Sequence, residues 1–354
     1  MDMITFIVPA YNAENTLCKT IDSILNQTDS RYQIVIVNDG STDKTDNICE
    51  QYHSQHLHKI TYIKQENRGL GGARNSGMKY VSTPYVAFLD SDDWLMPEYV
   101  EGVLTQLERK QDTKIEMIMT LPQIYHEKSK TVMDWHDKEL FQQVFQRDGQ
   151  VVNPQQDKRL YHFEVNQCRK IVSMEFVRKT GFLFREQIKW EDVYPHIYLL
   201  SKCTSCMGIG SLGFYYRVGR KGQITASTGT ERLDILQVFD DILKYVQKQG
   251  REDLQGQVME ILVRFSIWNI RMSDENIRKT LVRELHKRFA RLPIRYYKTL
   301  MKECKAFSKI EARQDCLFMA AIKCPIGCFF LYDYLYQEIG EKILKKLMVK
   351  GRAR

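Results

Sequence analysis

The chain reads as an α/β protein built on a mainly parallel central sheet, followed by an all-helical region. Three observations carry this. Between residues 4 and 121, short apolar runs alternate with segments of helical period, the pattern of strands buried on both faces by helices. Polar residues gather where those runs end, which is where ligands bind in such sheets. From about 231 the strand pattern stops and only helical periods remain.

The elements follow in order. "ITFIVPAY" (4–11) is an apolar strand closed by Pro9. "TLCKTIDSILNQ" (16–27) places Leu17, Ile21, Ile24 and Leu25 at helical spacing. "YQIVIVNDGS" (32–41) is a second strand running into a turn, and Ser41 or Thr42 is expected to cap the helix "DKTDNICEQYHSQ". "KITYIKQ" (59–65) is a third strand and "GGARNSGMKYVS" (71–82) a short helix. "YVAFLD" (85–90) is a fourth strand. "PEYVEGVLTQLERK" (97–110) is an amphipathic helix with Pro97 at its start. "KIEMIMTL" (114–121) is a fifth strand, and 122–165 has little pattern and reads as an insertion that helps build the acceptor site or, equally, as a surface excursion. Three helices are expected between 231 and 292. "CLFMAAIKCPIGCFFLYDYLY" (316–336) is the most apolar stretch, broken by Lys323, Pro325 and Asp333 and followed by "EKILKKLMVKGRAR".

Composition narrows the class. A chain of 354 residues holds one large domain or two smaller ones, and 43% hydrophobic with 27% charged residues suits a folded globular protein. The net charge of +8 is uneven: from 231 onward 25 Lys plus Arg stand against 16 Asp plus Glu, a surplus of +9 that leaves −1 for everything before. Such a surplus suggests an anionic partner, whether a membrane surface, a phosphorylated acceptor or nucleic acid, against the plainer reading of a solvated basic helical face. The amino terminus has no basic region or cleavage site, and no run of 18 apolar residues occurs, so neither an export signal nor a spanning helix is expected. Irregularly spaced cysteines then point to reduced thiols in the cytoplasm. Cys203 and Cys206 form a CxxC with no second pair to complete a zinc set.

The polar strand ends converge on one rim: Pro9-Ala10-Tyr11-Asn12 with Glu14, then Asn38-Asp39-Gly40-Ser41, then Asn67-Arg68-Gly69 with Arg74-Asn75, then Asp90-Ser91-Asp92-Asp93. Three carboxylates in four positions repel one another unless a cation sits among them. Mg²⁺ and Mn²⁺ take oxygen ligands, and Mg²⁺ sites often use one or two carboxylates, with phosphates and waters completing the shell. The competing reading has Asp92 or Asp93 cap the helix beginning near Pro97.

"FIVPAYNAENTL", "IVIVNDGSTDKT", "NRGLGGARNSGM" and "YVAFLDSDDWLMPEYVE" resemble, in order, the blocks of the family 2 glycosyltransferases, strongly over residues 3–105 and more loosely to about 228. The resemblance implies the glycosyltransferase-A fold, with a catalytic domain over 1–228 and a helical region over 229–354. It implies that Pro9, Ala10, Tyr11 and Glu14 line a nucleotide pocket and that Asp39 contacts the base, expected to be uracil. The family usually has a second acid beside it, where this chain has Asn38. By the same resemblance Arg74 approaches the ribose and diphosphate-sugar, Asp90 holds ribose or sugar hydroxyls, and Asp92, with Asp90, binds Mn²⁺ or Mg²⁺. The family's catalytic carboxylate belongs to a downstream Glu-Asp pair, here Glu191-Asp192 in "REQIKWEDVYPHIYLL". Asp192 is then the base of an inverting transfer, and Glu191 holds the acceptor or orients Asp192. Taken alone, a Glu-Asp pair at a helix start does no more than complement the helix dipole. "FYYRVGRKGQITAST" (214–228) resembles the family's terminal block, in which Arg217, Arg220, Lys221 and Thr225 would neutralise the diphosphate or close over the donor.

These residues imply an enzyme that moves a sugar from a nucleotide-diphosphate donor, expected to be a UDP-sugar, to a glycan or lipid-linked oligosaccharide in bacterial surface or capsular polysaccharide synthesis. The basic helical end would rest on an anionic membrane surface at the cytoplasmic face, or form a homodimer contact. No nucleic-acid-binding motif accompanies the basic surplus, which excludes nucleic acid as a partner. A sugar-phosphate nucleotidyltransferase needs an Arg-containing, Gly-rich loop after the first strand, where "PAYNAEN" stands. An inactive nucleotide-sugar-binding scaffold would tend to lose the carboxylates that this chain keeps.

Overall fold

The computed structural model describes residues 1–299 except 221, 222, 224, 225, 294 and 297. The chain divides into two compact units, the first Met1–Ala226 and the second beginning at Ser227. The expected roles of Lys221 and Thr225, and the apolar stretch 316–336, lie outside the described residues.

The first unit opens with β1 (Ile4–Ala10), α1 (Leu17–Leu25), β2 (Tyr32–Asp39), α2 (Thr45–Gln55), β3 (Ile60–Gln65), α3 (Gly69–Met78), β4 (Tyr85–Phe88), β5 (Trp94–Leu95) and α4 (Tyr99–Glu108). It continues with β6 (Met117–Thr120), β7 (Gln123–His126), β8 (Thr131–Asp134), α5 (Lys138–Val144), β9 (Gln150–Val152), β10 (Lys170–Ser173), α6 (Met174–Thr180), α7 (Val193–Lys202), β11 (Cys206–Ile209) and β12 (Phe214–Val218). The main sheet runs β3-β2-β1-β4-β10-β6-β11-β9, and the pairings of β10 and β9 are antiparallel. Alternate side chains sort its two faces. Phe6, Val8, Ile34, Ile36, Ala87 and Ile171 join one continuous core with α1 and α4. The intervening residues face the opposite layer, where α3 packs on β1 and β2 with Gly77 against Ile7.

The weakly patterned 122–165 stretch is not a surface excursion. It supplies β7 and β8 to a second sheet, β5-β12-β7-β8, and β9 to the rim of the first. Trp135 is buried edge-on against Tyr216, with centroids 5.5 Å apart. Its strands are short and half-exposed, so no long apolar run announced them. The capping expectations are also corrected. Asp43, not Ser41 or Thr42, accepts the Thr45 amide at 3.0 Å at the start of α2. Neither Asp92 nor Asp93 caps α4, whose N-cap is Glu98 without a side-chain bond.

The second unit contains α8 (Asp234–Lys248), α9 (Gln255–Met272) and α10 (Glu275–Ala290). α8 and α10 meet through Phe239 and Phe289, whose rings lie 4.9 Å apart. Arg232 is buried over Trp268 at 4.6 Å and donates to the Ser227 carbonyl and the Asn269 side chain. Among the described residues no helix is long and apolar enough to cross a membrane.

Candidate active site

The rim is built first from the loops after β1 and β2, which are stapled together. Asn12, at φ 48°, accepts the Thr42 amide at 2.8 Å and donates its own amide to Ser41 Oγ at 3.0 Å. The Ala13 amide donates to Thr45 Oγ1 at 2.8 Å, and Glu14 Oε2 accepts the Lys44 amide at 3.1 Å. Glu14 is therefore partly spent on holding the α2 entry. Pro9 and Ala10 are buried at the end of β1, whereas Tyr11 stands 53% exposed above them.

Asn38 and Asp39 play different parts. Asn38 donates to Asp46 Oδ1 at 2.9 Å and accepts the Ser41 amide at 3.0 Å. An aspartate at 38 would set two carboxylates against each other, which explains why this position is an amide in this chain. Asp39 uses one oxygen, Oδ1, to accept from Gln65 Nε2 (2.6 Å) and the Arg68 amide (2.9 Å).

The acidic turn after β4 is charge-balanced by β12 and the loop beyond it. Arg220 Nε donates to Asp92 Oδ2 at 2.6 Å. Arg217, expected on the diphosphate, is instead buried: its amide donates to Asp93 Oδ1 (2.9 Å), its Nε to the Asp92 carbonyl (2.9 Å) and its Nη1 to Glu127 (3.0 Å). Burial pushes the Asp93 carboxyl well above the usual range, with the charges of Asp92 and Asp90 adding to it. Burial also raises Asp92, against the pull of Arg220.

α3 forms the other wall. The "GLGG" at its start is a smooth docking face for the 184–187 segment. A Cβ on Gly71 would stand 2.1 Å from the Arg185 carbonyl oxygen. Asn75 pairs with both the amide (2.8 Å) and carbonyl (2.9 Å) of Phe184, as a strand neighbour would. Arg68 holds Glu186 through two bonds of 2.9 and 2.6 Å. Gly71→Ala is expected to lower stability by ~1–3 kcal/mol through this overlap; a thermal melt at wild-type Tm would refute the docking role.

From that dock the chain reaches Glu191-Asp192 through two non-glycine residues at positive φ, Gln187 at 51° and Trp190 at 62°. Bulky residues adopt this region only when the surroundings impose it. Asp192 occupies the N-cap of α7 without capping through its side chain. Arg74 is 2% exposed by side chain and bridges Asp90 Oδ1 and Glu191 Oε1, each at 2.8 Å. Its guanidinium lies 5.3 Å from the Phe184 centroid and 5.9 Å from that of Phe88. Arg74, expected to meet the ribose and diphosphate, is thus a brace between two acids. Burial pushes Asp192 up to about 7, Glu191's charge adds to this, and Arg74 and Lys170 oppose it.

The expected cation fits this chemistry. Asp90 and Asp92 offer hard oxygens, and each has one oxygen on a guanidinium, a sign that this turn requires positive charge. Among the described residues Asp90, Asp93 and Cys168 also come together within 4.8 Å, but a thiol that burial pushes well above its usual range suits Mg²⁺ or Mn²⁺ less than carboxylate oxygens do. Cys203 and Cys206 are buried free thiols. Glu186 was missed as a site-building residue, and Arg68, already placed on the rim, was not paired with it, because their contact spans 118 residues.

The fold and this rim define the class, a domain of the glycosyltransferase-A type. A crystal structure of S. aureus TarS 1-349 in complex with UDP-GlcNAc superposes with a TM-score of 0.69 at 17% identity, covering 95% of this chain and 92% of that one. Residues 5–170, a little under half of the chain, match the model of glycosyl transferase family 2. Similar curated proteins include glycosyltransferase GlyA of Streptococcus pneumoniae serotype 4, 51% identical over 30% of this chain and 15% of its own. The minor teichoic acid biosynthesis protein GgaB of Bacillus subtilis is 42% identical over 28% of this chain and 11% of its own. The matched segments are thus small parts of those longer relatives.

Proposed function

We propose that this chain is an inverting glycosyltransferase that moves a sugar from a UDP-sugar to a hydroxyl of a lipid-linked glycan in bacterial surface polysaccharide synthesis. The observation that carries it is the gathering, at one sheet rim, of Asp39, the Asp90-Ser91-Asp92 turn and the Glu191-Asp192 pair, with Arg74 tying the last two together. Tyr11 offers an exposed ring to stack on the base, and the uncommitted oxygen of Asp39 accepts its N–H. Asp90 and Asp92 would hold Mn²⁺ or Mg²⁺, which would supply positive charge against the departing diphosphate. Asp192 takes the acceptor's hydroxyl proton while that oxygen forms its bond to the anomeric carbon. The bond from that carbon to the diphosphate breaks on the opposite face, and its electron pair leaves with UDP. Arg220, released from Asp92, is free to meet the diphosphate. The relatives' role in teichoic acid and glycan assembly and the basic surplus beyond 231 support a membrane-surface acceptor.

Purified protein given a panel of UDP-sugars with Mn²⁺ should release UDP, and Asp92→Ala should lower that release on the order of 10²–10³-fold. Undiminished release in excess chelator would overturn the metal assignment.

A further inference from the structure

We propose that the outer face of the second sheet is an acceptor subsite for a phosphate-bearing saccharide chain, with Lys19 meeting a phosphate while Trp94, Tyr125 and Tyr215 pack on sugar rings. The inference rests on the reading of the chain as a glycosyltransferase. Strand alternation gives this sheet two faces. Leu95, Ile124 and Phe214 point inward and are buried. The residues between them point the other way. Trp94 pairs across the sheet with Tyr215, and Arg217 stands opposite Tyr125. The Trp94 and Tyr215 rings stack at 5.2 Å, and Tyr125 meets Trp94 edge-on at 4.8 Å. All three are half-buried, so they form an aromatic layer that still reaches solvent. The layer adjoins the acidic turn. Trp94 lies two residues beyond Asp92. Arg217 donates to the Asp92 carbonyl, and Thr20, beside Lys19 on α1, donates to the Asp93 carbonyl at 2.7 Å.

Charge identifies the occupant. Lys19 is exposed, and its ammonium stands 3.2 Å from the Trp94 centroid and 5.2 Å from that of Tyr125. Ring faces attract a cation, but an ammonium has three N–H donors to place. Among the described residues no hydrogen bond or ion pair engages it. The charges acting on it are Arg217, Glu127 and Lys130. Glu127, the single anion there, already bonds Arg217 at 3.0 Å and Lys130 at 2.5 Å. Burial lowers the Lys19 pKa and Arg217 adds to this, an imbalance that a further anion relieves. Three cations against one carboxylate fit an anionic chain, and the rings fit the C–H faces of sugars. The compact charge of lysine suits a tetrahedral phosphate. The planar fork that matches a carboxylate belongs to Arg217, which is spent on Glu127 and the Asp92 carbonyl.

The test titrates the full chain, in the presence of Mn²⁺ and UDP, with soluble oligomers of equal length. One is a phosphodiester-linked glucose oligomer, one an oligogalacturonate and one a neutral malto-oligosaccharide. The phosphodiester chain should bind about tenfold more tightly than the others, and Lys19→Gln should erase that margin. UDP affinity should stay within about twofold in this variant. Tyr215→Leu should weaken the phosphodiester and neutral chains alike. Equal binding of those two chains by the wild type, or unchanged phosphodiester affinity in Lys19→Gln, overturns the inference. Oligogalacturonate binding as tightly as the phosphodiester chain overturns the choice of phosphate. Loss of UDP affinity in Lys19→Gln would assign the face to the donor and overturn it too. UDP release from UDP-sugars by the same samples tests the enzyme reading separately. Its absence fails that reading, whereas normal release without a phosphodiester preference fails the subsite alone.

Discussion

Asp192→Asn should reduce sugar transfer on the order of 10²–10⁴-fold while leaving donor binding unchanged. The amide has the shape of the carboxylate but cannot take the acceptor's proton. Asp192 sits at the N-cap of α7, and the substitution removes none of the groups proposed to hold the donor or the cation, so donor binding should be retained. Titration of Mn²⁺·UDP measures binding, and product formation measures transfer. The wild-type pH profile carries the same logic. Burial, helped by Glu191's charge, pushes Asp192 up to about 7. A base works only when ionised, so the rate should fall as pH drops through about 7 and level off above it. Normal transfer by the Asn variant would move the base to another residue.

Arg74→Met should be the most destabilising single change in the site, at ~3–5 kcal/mol. One guanidinium serves both Asp90 and Glu191, each at 2.8 Å, and Glu191 is 9% exposed by side chain. Burial alone would weaken Arg74's charge, but Asp90 and Glu191 more than offset it and raise its pKa. Methionine fills the space between Phe184 and Phe88 yet leaves Glu191 buried without a counter-ion. Arg74→Lys keeps a charge but lacks the planar fork that reaches two carboxylates at once. It should recover only part of the loss. Urea unfolding of the three proteins measures this, and a wild-type midpoint for Arg74→Met would remove the brace from the account.

The β-α alternation of the first hundred residues was legible because each central strand, such as "IVIV" or "YVAF", is apolar on both faces. β7, β8 and β9 were not, because strands of three or four half-exposed residues leave too short a pattern to detect. The acidic turn and the Glu-Asp pair could be found as strings. Their partners could not, since Arg74 meets Glu191 across 117 residues and Arg217 meets Asp92 across 125. The resemblance implied donor contacts for Arg74 and Arg217, and the fold sets both against carboxylates of their own chain.

By itself the sequence determined the alternating fold and the rim where carboxylates collect, because apolar period and local acid clusters are properties of neighbouring residues. Only the tertiary structure decided which cation stands against which acid and that Asn38 serves the turn. Those outcomes depend on burial and on distances across the sheet, which contiguous residues do not encode.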